Sequence, residues 1–375
     1  LVSDSTLFLN MKYFLLLASL LLAACAQAPK KTLDATGNAP FEPFAPVGGQ
    51  ATITDTSLFL AGRPVSSGAV LSSLQQTRQY SEFSRENLWQ WEKMALPRVG
   101  KQRSWQAEYI QPLIGTPLTM VYPFGGPDLL YALSLFPNVS RYILLGMEPV
   151  GNVPDLEASD PGAVLGALDG LKRTVATQLQ HGYFITKDMK TDLSNGPLQG
   201  VIPVLLTALG LMDAQIYSVN FINASGNPGV EINFQLPGRR WQTAIYVAGD
   251  LSNAGFQGGY RQWLSSQAAG SVAYFKAASY LMHDDRFSAA RNWVLGTSRA
   301  VVQDDSGIPY SSFDPSIWQV NLFGSYRAPT ELFSKHAQSS LREAYQSSGP
   351  RPPLTFGSGY VMEASAANLT VAVRR

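Results

Sequence analysis

The chain has 375 residues, 45% of them hydrophobic and 15% charged, with a formal net charge of +1. That is enough apolar material for a large core, so disorder is excluded for most of the chain, and one domain or two closely packed ones fit the length. With balanced charge and no long run of Lys or Arg, no nucleic-acid partner is expected.

Residues 1–10 precede the best start and read as an upstream extension. Met11-Lys12 opens a short basic stretch, residues 13–22 form an apolar run short for a transmembrane helix, and Leu22-Ala23-Ala24-Cys25 closes it. This resembles the signal peptide and lipobox of a bacterial lipoprotein. The resemblance covers residues 11–27 and implies removal of 11–24, diacylglycerol on the Cys25 thiol and acylation of the new amino terminus. It implies a membrane partner through that lipid, in the cell envelope. Ala26 in place of Asp implies the outer membrane, facing the periplasm or the surface. Cys25 is the sole cysteine, so disulfides, Cys metal sites and Cys nucleophiles are excluded from the folded part. Residues 25–50, rich in Ala, Pro and Gly, read as a lipidated tether to an α/β domain over 51–350.

Residues 66–95 show a helical amphipathic pattern, with Leu88, Trp91 and Ala95 on one face; Trp89, Trp91 and Trp105 read as packing residues. Residues 118–149 then read as strand, tight turn, helix, strand. The stretch 118–124 is an apolar β-favouring run, Gly125 and Gly126 turn the chain, and Pro127-Asp128 suits the first turn of a helix that stops near Pro137. Residues 141–147 form the second strand, with Glu148-Pro149 at its carboxyl end. Such a unit implies a parallel sheet, with Asp128 and Glu148 on the edge where α/β proteins hold ligands.

Asp160-Pro161 starts a helix carrying Val164, Leu168, Leu171, Val175 and Leu179, and His181-Gly182 are placed to end it. Residues 201–212 read as a buried helix, 214–221 as a strand, and 230–236 with 241–248 as an antiparallel extension around Pro237-Gly238. Helices follow at 260–267, 286–295 and 330–345, strands at 300–303 and 318–323, and a weakly alternating tail over 351–375. The fold class is therefore α/β, a partly parallel sheet with flanking helices and a Rossmann-like core, plus the antiparallel extension.

The Gly125-Gly126 turn, with Glu148 about twenty residues on, resembles the nucleotide-binding half of Rossmann-like folds, including class I methyltransferases. The resemblance implies backbone N–H groups on an anion and Glu148 on ribose hydroxyls. The chain departs from the pattern in lacking G-x-G-x-x-G spacing, and Pro127 removes one N–H. Acid–base chemistry is the second possibility: Asp128, Glu148 and Asp250 each follow a strand and are the candidate catalytic carboxylates, helix-dipole and turn chemistry being the plain alternatives. Gly125, Gly126, Asn253, Lys276 and Tyr310 are candidate ligand contacts. Lys276 with Ser279 is a possible pair, Asp284 or Asp285 a helix cap, and Asp304-Asp305-Ser306-Gly307 either a turn or a binder of a cation or sugar hydroxyls. The three histidines, at 181, 283 and 336, share no i, i+4 spacing, so no zinc site, and no cofactor, is expected. These features suggest a lipid-anchored envelope protein that binds a polar ligand, such as a glycan or peptidoglycan fragment, at the strand carboxyl ends. Two alternatives stay open: a carboxylate-dependent hydrolase or transferase, and a degenerate nucleotide-binding, methyltransferase-like fold.

Overall fold

The computed structural model describes residues 51–375; Cys25, the signal peptide and the tether lie outside them. An amino-terminal helical layer comes first. In α1 (Ile53–Leu60), Thr52 and Asp55 form a reciprocal cap, each side chain accepting from the other's backbone N–H. The helix expected over 66–95 is two, α2 (Ala69–Gln75) and α3 (Arg78–Gln90), because Thr77 caps the second by accepting from Tyr80 N–H at 3.2 Å. Through π-helical turns at Trp91–Ala95 and Gln106–Ile110, α3 runs into α4 (Leu96–Trp105) and α5 (Gln111–Ile114). Trp91 and Trp105 are buried against the core as their spacing suggests, while Trp89 is exposed.

Among the described residues the sheet has nine strands. The core unit is β1 (Thr119–Tyr122), α6 (Leu129–Leu135) and β2 (Arg141–Gly146), with β1 and β2 parallel. After it come α7 (Pro161–His181), α8 (Thr186–Asp192) and α9 (Ile202–Leu211), then β3 (Gln215–Ala224), β4 (Asn227–Gln235) and β5 (Trp241–Ala248). The last third holds α10 (Gly258–Ala268), β6 (Val272–Phe275), α11 (Ser288–Thr297), β7 (Ala300–Gln303), β8 (Trp318–Gly324), α12 (Ser339–Ser347) and β9 (Asn368–Arg374). Across the sheet the order is β3-β4-β5-β2-β1-β6-β7-β9-β8. β5, β2, β1, β6 and β7 are mutually parallel, and antiparallel pairs β3–β4 and β9–β8 extend the two edges.

Helices on both faces leave the parallel strands no solvated side, which is why they read as continuous apolar runs. Alternate residues still separate by face. Tyr122, Leu144, Tyr246 and Tyr274 enter the core beneath the amino-terminal helices and α7, whereas Val121, Ile143, Val247 and Phe275 enter the one beneath α10 and α11. Each fully buried Val, Ile or Phe there contributes about 1.5–3 kcal/mol.

The ends of α7 follow its sequence: Asp160 accepts from Ala163 N–H at 2.8 Å, and Gly182 closes the helix in the left-handed region at φ 80° after His181. Besides α1, α4, α5 and β6, where no element was expected, three segments differ from expectation. The helix over 330–345 is a 3₁₀ segment, Glu331–His336, followed by α12. Gln338 interrupts it, accepting from Tyr310 N–H at 2.8 Å and donating to the Asp305 carbonyl at 2.9 Å. Within 351–375, expected as a weakly alternating tail, residues 368–374 form β9, an interior strand buried from Asn368 to Ala372. α8 carries one buried apolar residue, Met189, and so had no periodicity to reveal it.

Candidate functional site

All the parallel strands end at one rim. Asp128 follows β1, Glu148 follows β2, Asp250 follows β5, Lys276 follows β6 and Asp304-Asp305 follows β7. The chain leaves β1 for β2 and β5 on one side, then returns at β6 on the other. The junction of β1 and β6 is therefore the switch point, the place where open α/β sheets hold ligands.

The turn after β1 needs its glycines. Gly126 sits at φ 53°, and Phe124 before the pair at φ 61°. A Cβ on Gly125 would lie 2.5 Å from the Tyr122 ring, and one on Gly126 3.4 Å from Glu148 Oε2. Asp128 occupies the N-cap position of α6, yet its carboxylate makes no capping hydrogen bond, contrary to the helix-end role its position suggests. It turns inward instead. The Tyr122 hydroxyl donates to Oδ2 at 2.9 Å, Gln178 Nε2 donates to Oδ1 at 2.9 Å, and Lys276 Nζ lies 2.6 Å from Oδ2. Lys276 also stands 4.0 Å above the Tyr131 ring centre. Both charges are buried, and burial pushes the Lys276 ammonium below its ordinary pKa while Asp128 opposes the shift. The anion position of the switch point thus holds the chain's own carboxylate, already paired.

The loop after β6 is strained and internally satisfied. Ala277, Ser279 and Tyr280 have φ of 51°, 52° and 57°. Ala277 N–H donates to Asp304 Oδ2 at 2.9 Å, Ala278 N–H to Ser306 Oγ at 2.8 Å and Ser279 N–H to the Tyr360 hydroxyl at 3.1 Å. Successive amides of this kind make an anion-binding cup, and here protein atoms fill it. Ser279 Oγ meets Tyr360 at 2.9 Å and does not pair with Lys276. Gly359 lies flat on Asp304, and the Tyr360 ring packs between Tyr183 and Phe333. Burial, with Asp305 beside it, raises the Asp304 carboxyl to about 6, and burial raises Asp305 as well. Asp305 accepts from the Tyr280 hydroxyl at 2.5 Å and from Asn368 Nδ2 at 2.9 Å. Among the described residues no group of His, Cys, Asp and Glu is arranged to hold a metal ion.

Glu148 differs because it borders open space. Its side chain is buried, Oε2 accepting from Met147 N–H at 3.0 Å and the Tyr246 hydroxyl at 3.1 Å, and Oε1 from the Thr186 hydroxyl at 2.8 Å. Beside it opens a cleft of about 310 Å³ lined by Met147, Met189, Lys190, Leu193 and Ser194, with bare backbone at Gly151 and Gly200.

The remaining candidates lie apart. Asp250 is exposed and closes a turn, accepting from Ser252 N–H at 2.8 Å and its hydroxyl at 2.7 Å. Asn253 staples two loops, donating to the Asp285 carbonyl at 2.9 Å and accepting from Ala289 N–H at 2.9 Å. Asp284 caps the turn before α11, accepting from Arg286 N–H at 2.8 Å. Tyr310 lines a different and larger hollow, about 720 Å³, along β8 and α12. Thr186, Lys190, Tyr246, Gln178 and Tyr360 carried no signal in the sequence: Thr186 and Lys190 share α8, whose pattern did not mark it as a helix, and the other three come from separate segments. Comparison with protein-family models, curated proteins and solved structures gave no match.

Proposed function

We propose that the protein is a lipid-anchored component of the bacterial cell envelope that binds a small polar ligand in the cleft beside Glu148. The anchor rests on the Leu22-Ala23-Ala24-Cys25 sequence. The binding reading rests on one observation: of Asp128, Glu148 and Asp250, only Glu148 lines this cleft, which is the open space at the carboxyl end of β2. A hydrolase or transferase using all three would need them to face one cavity, and the separate partners of Asp128 and Asp250 weigh against it.

The strand order favours a second statement about descent. Numbered as they occur, the parallel strands β5-β2-β1-β6-β7 run 3-2-1-4-5, the order of Rossmann nucleotide-binding sheets. With Asp128 and Lys276 in the anion position, a three-residue cup filled by Asp304, Ser306 and Tyr360, and Pro127 lacking its N–H, the fold reads as a nucleotide-binding architecture that has given up its nucleotide. Binding has moved to the β2 end.

Calorimetry on the full chain tests the reading, with chitobiose and a muramyl dipeptide as probes. Binding that weakens at least about tenfold in Glu148→Gln supports it. Binding unchanged in that variant places the ligand elsewhere and overturns it.

A further inference from the structure

Resting on the cleft reading above, we infer that the Glu148 cleft takes a zwitterion: a free α-amino acid or the end of a short peptide with an apolar side chain. The donors on Glu148 leave part of its carboxylate unused. An ionised carboxylate offers about four acceptor sites, and the protein supplies at most three donors: Met147 N–H on Oε2, the Thr186 hydroxyl on Oε1, and the Tyr246 hydroxyl, whose single proton is shared between Oε2 at 3.1 Å and the Glu148 carbonyl at 2.8 Å. One site on Oε1 remains for a ligand donor, and a negative carboxylate favours an ammonium there.

Lys190 on α8 lines the same cleft, is exposed, and enters no ion pair among the described residues. A fixed acceptor and a free cation in one small space select opposite charges on one ligand. A simple cation meets Lys190 unfavourably and a simple anion meets Glu148 unfavourably. A neutral sugar satisfies neither charge. Between them the wall is apolar, formed by Met147, Met189, Leu193 and Val201. The volume, about 310 Å³, falls at the lower end of the 300–1,000 Å³ range of ligand cavities, which sets the size at an amino acid or a dipeptide.

The far wall is made narrow on purpose by two glycines. Gly151 and Gly200 have φ of 79° and 77°, and a Cβ on Gly200 would come 2.4 Å from Gly151 Cα. Side chains at either position would push the wall apart, so the cleft depends on bare backbone.

The experiment is calorimetry of the full chain with four probes: L-leucine, L-leucinamide, 4-methylpentanoate and chitobiose. L-Leucine should bind, with leucinamide and 4-methylpentanoate each weaker by about tenfold or more. Lys190→Ala, at an exposed site where folding is not at stake, should erase the preference for leucine over leucinamide. Glu148→Gln should erase its preference over 4-methylpentanoate. Binding of chitobiose but not leucine, lost in Glu148→Gln, overturns the zwitterion and leaves the cleft reading standing. Leucine binding that Lys190→Ala does not alter overturns the zwitterion too, and silence from all four probes at about 10 mM overturns both.

Discussion

Removing Asp128 leaves an ammonium buried with only an aromatic face for company. In Asp128→Asn, Lys276 keeps the Tyr131 ring at 4.0 Å but loses its carboxylate, in a site where Asp128 is 2% and Lys276 5% exposed. The lysine then either stays charged at a high desolvation cost or sheds its proton. Neutralising a lysine of ordinary pKa near 10.4 at pH 7 costs about 4.6 kcal/mol, which sets the ceiling. That falls within the roughly 3–5 kcal/mol expected when one partner of a buried pair is removed, a large share of the 5–15 kcal/mol that holds a domain folded. Lys276→Met should cost less, about 2–3 kcal/mol, because Asp128 retains the Tyr122 and Gln178 donors. In the double variant neither charge is stranded, so it should be more stable than Asp128→Asn alone. Urea unfolding at pH 7, followed by tryptophan fluorescence, measures all three. A further check is pH: the stranded lysine has a folded pKa below its unfolded one, so Asp128→Asn should gain stability as pH rises from 7 towards 10. A cost below about 1 kcal/mol for Asp128→Asn, or single costs that simply add in the double variant, would refute the buried pair.

Asp304, raised to about 6, contributes stability that is complete below its unfolded pKa near 4 and lost as pH rises through about 6. His283, which burial lowers to about 4, acts oppositely, its contribution present above about 6.5 and lost as pH falls through 4. Asp304→Asn should therefore flatten the fall in stability between about pH 4 and pH 6, and a variant with the wild-type pH profile of urea midpoints would contradict this. Gly125→Ala places a Cβ 2.5 Å from the Tyr122 ring and should cost about 1–3 kcal/mol, read as a lower melting temperature. Gly126→Ala, at φ 53°, should cost about 1–2 kcal/mol, and a neutral result at both would show the turn to be ordinary. Cys25→Ala should abolish labelling by a fatty-acid analogue; undiminished label would remove the lipid anchor from the proposal.

What the sequence disclosed depended on whether chemistry was local. The β1–α6–β2 unit and both ends of α7 were legible because turn glycines, Asp160 and Gly182 act within a few residues of themselves. The hairpin of β4 and β5 announced itself through Pro237-Gly238. β9 showed only a weak alternation, since its buried stretch includes the polar Asn368 and Thr370 as well as apolar residues. At the rim, Asp128 and Glu148 follow adjacent parallel strands as the order of elements implied, while β5, expected within the antiparallel extension, runs parallel to β2 and brings Asp250 to the same edge. Their roles were decided by partners far along the chain: Lys276 and Gln178 for Asp128, Tyr246 and Thr186 for Glu148. No spacing rule carries that information, because the sheet brings together residues separated by tens to more than a hundred positions.

β9 sits between β7 and β8 although it follows both in the chain. A polypeptide made or exported amino end first therefore presents β8 before its neighbour exists. Two strand spacings, about 10 Å, must be kept open between β7 and β8 until residues 368–374 slide in. Until then β7 is a bare sheet edge and β8 a strand without a partner, an arrangement prone to pairing with the wrong chain. Assembly is thus gated by its latest strand, and a chain cut before Asn368 would keep a seven-stranded sheet ending at β7 and leave β8 with no strand to pair with.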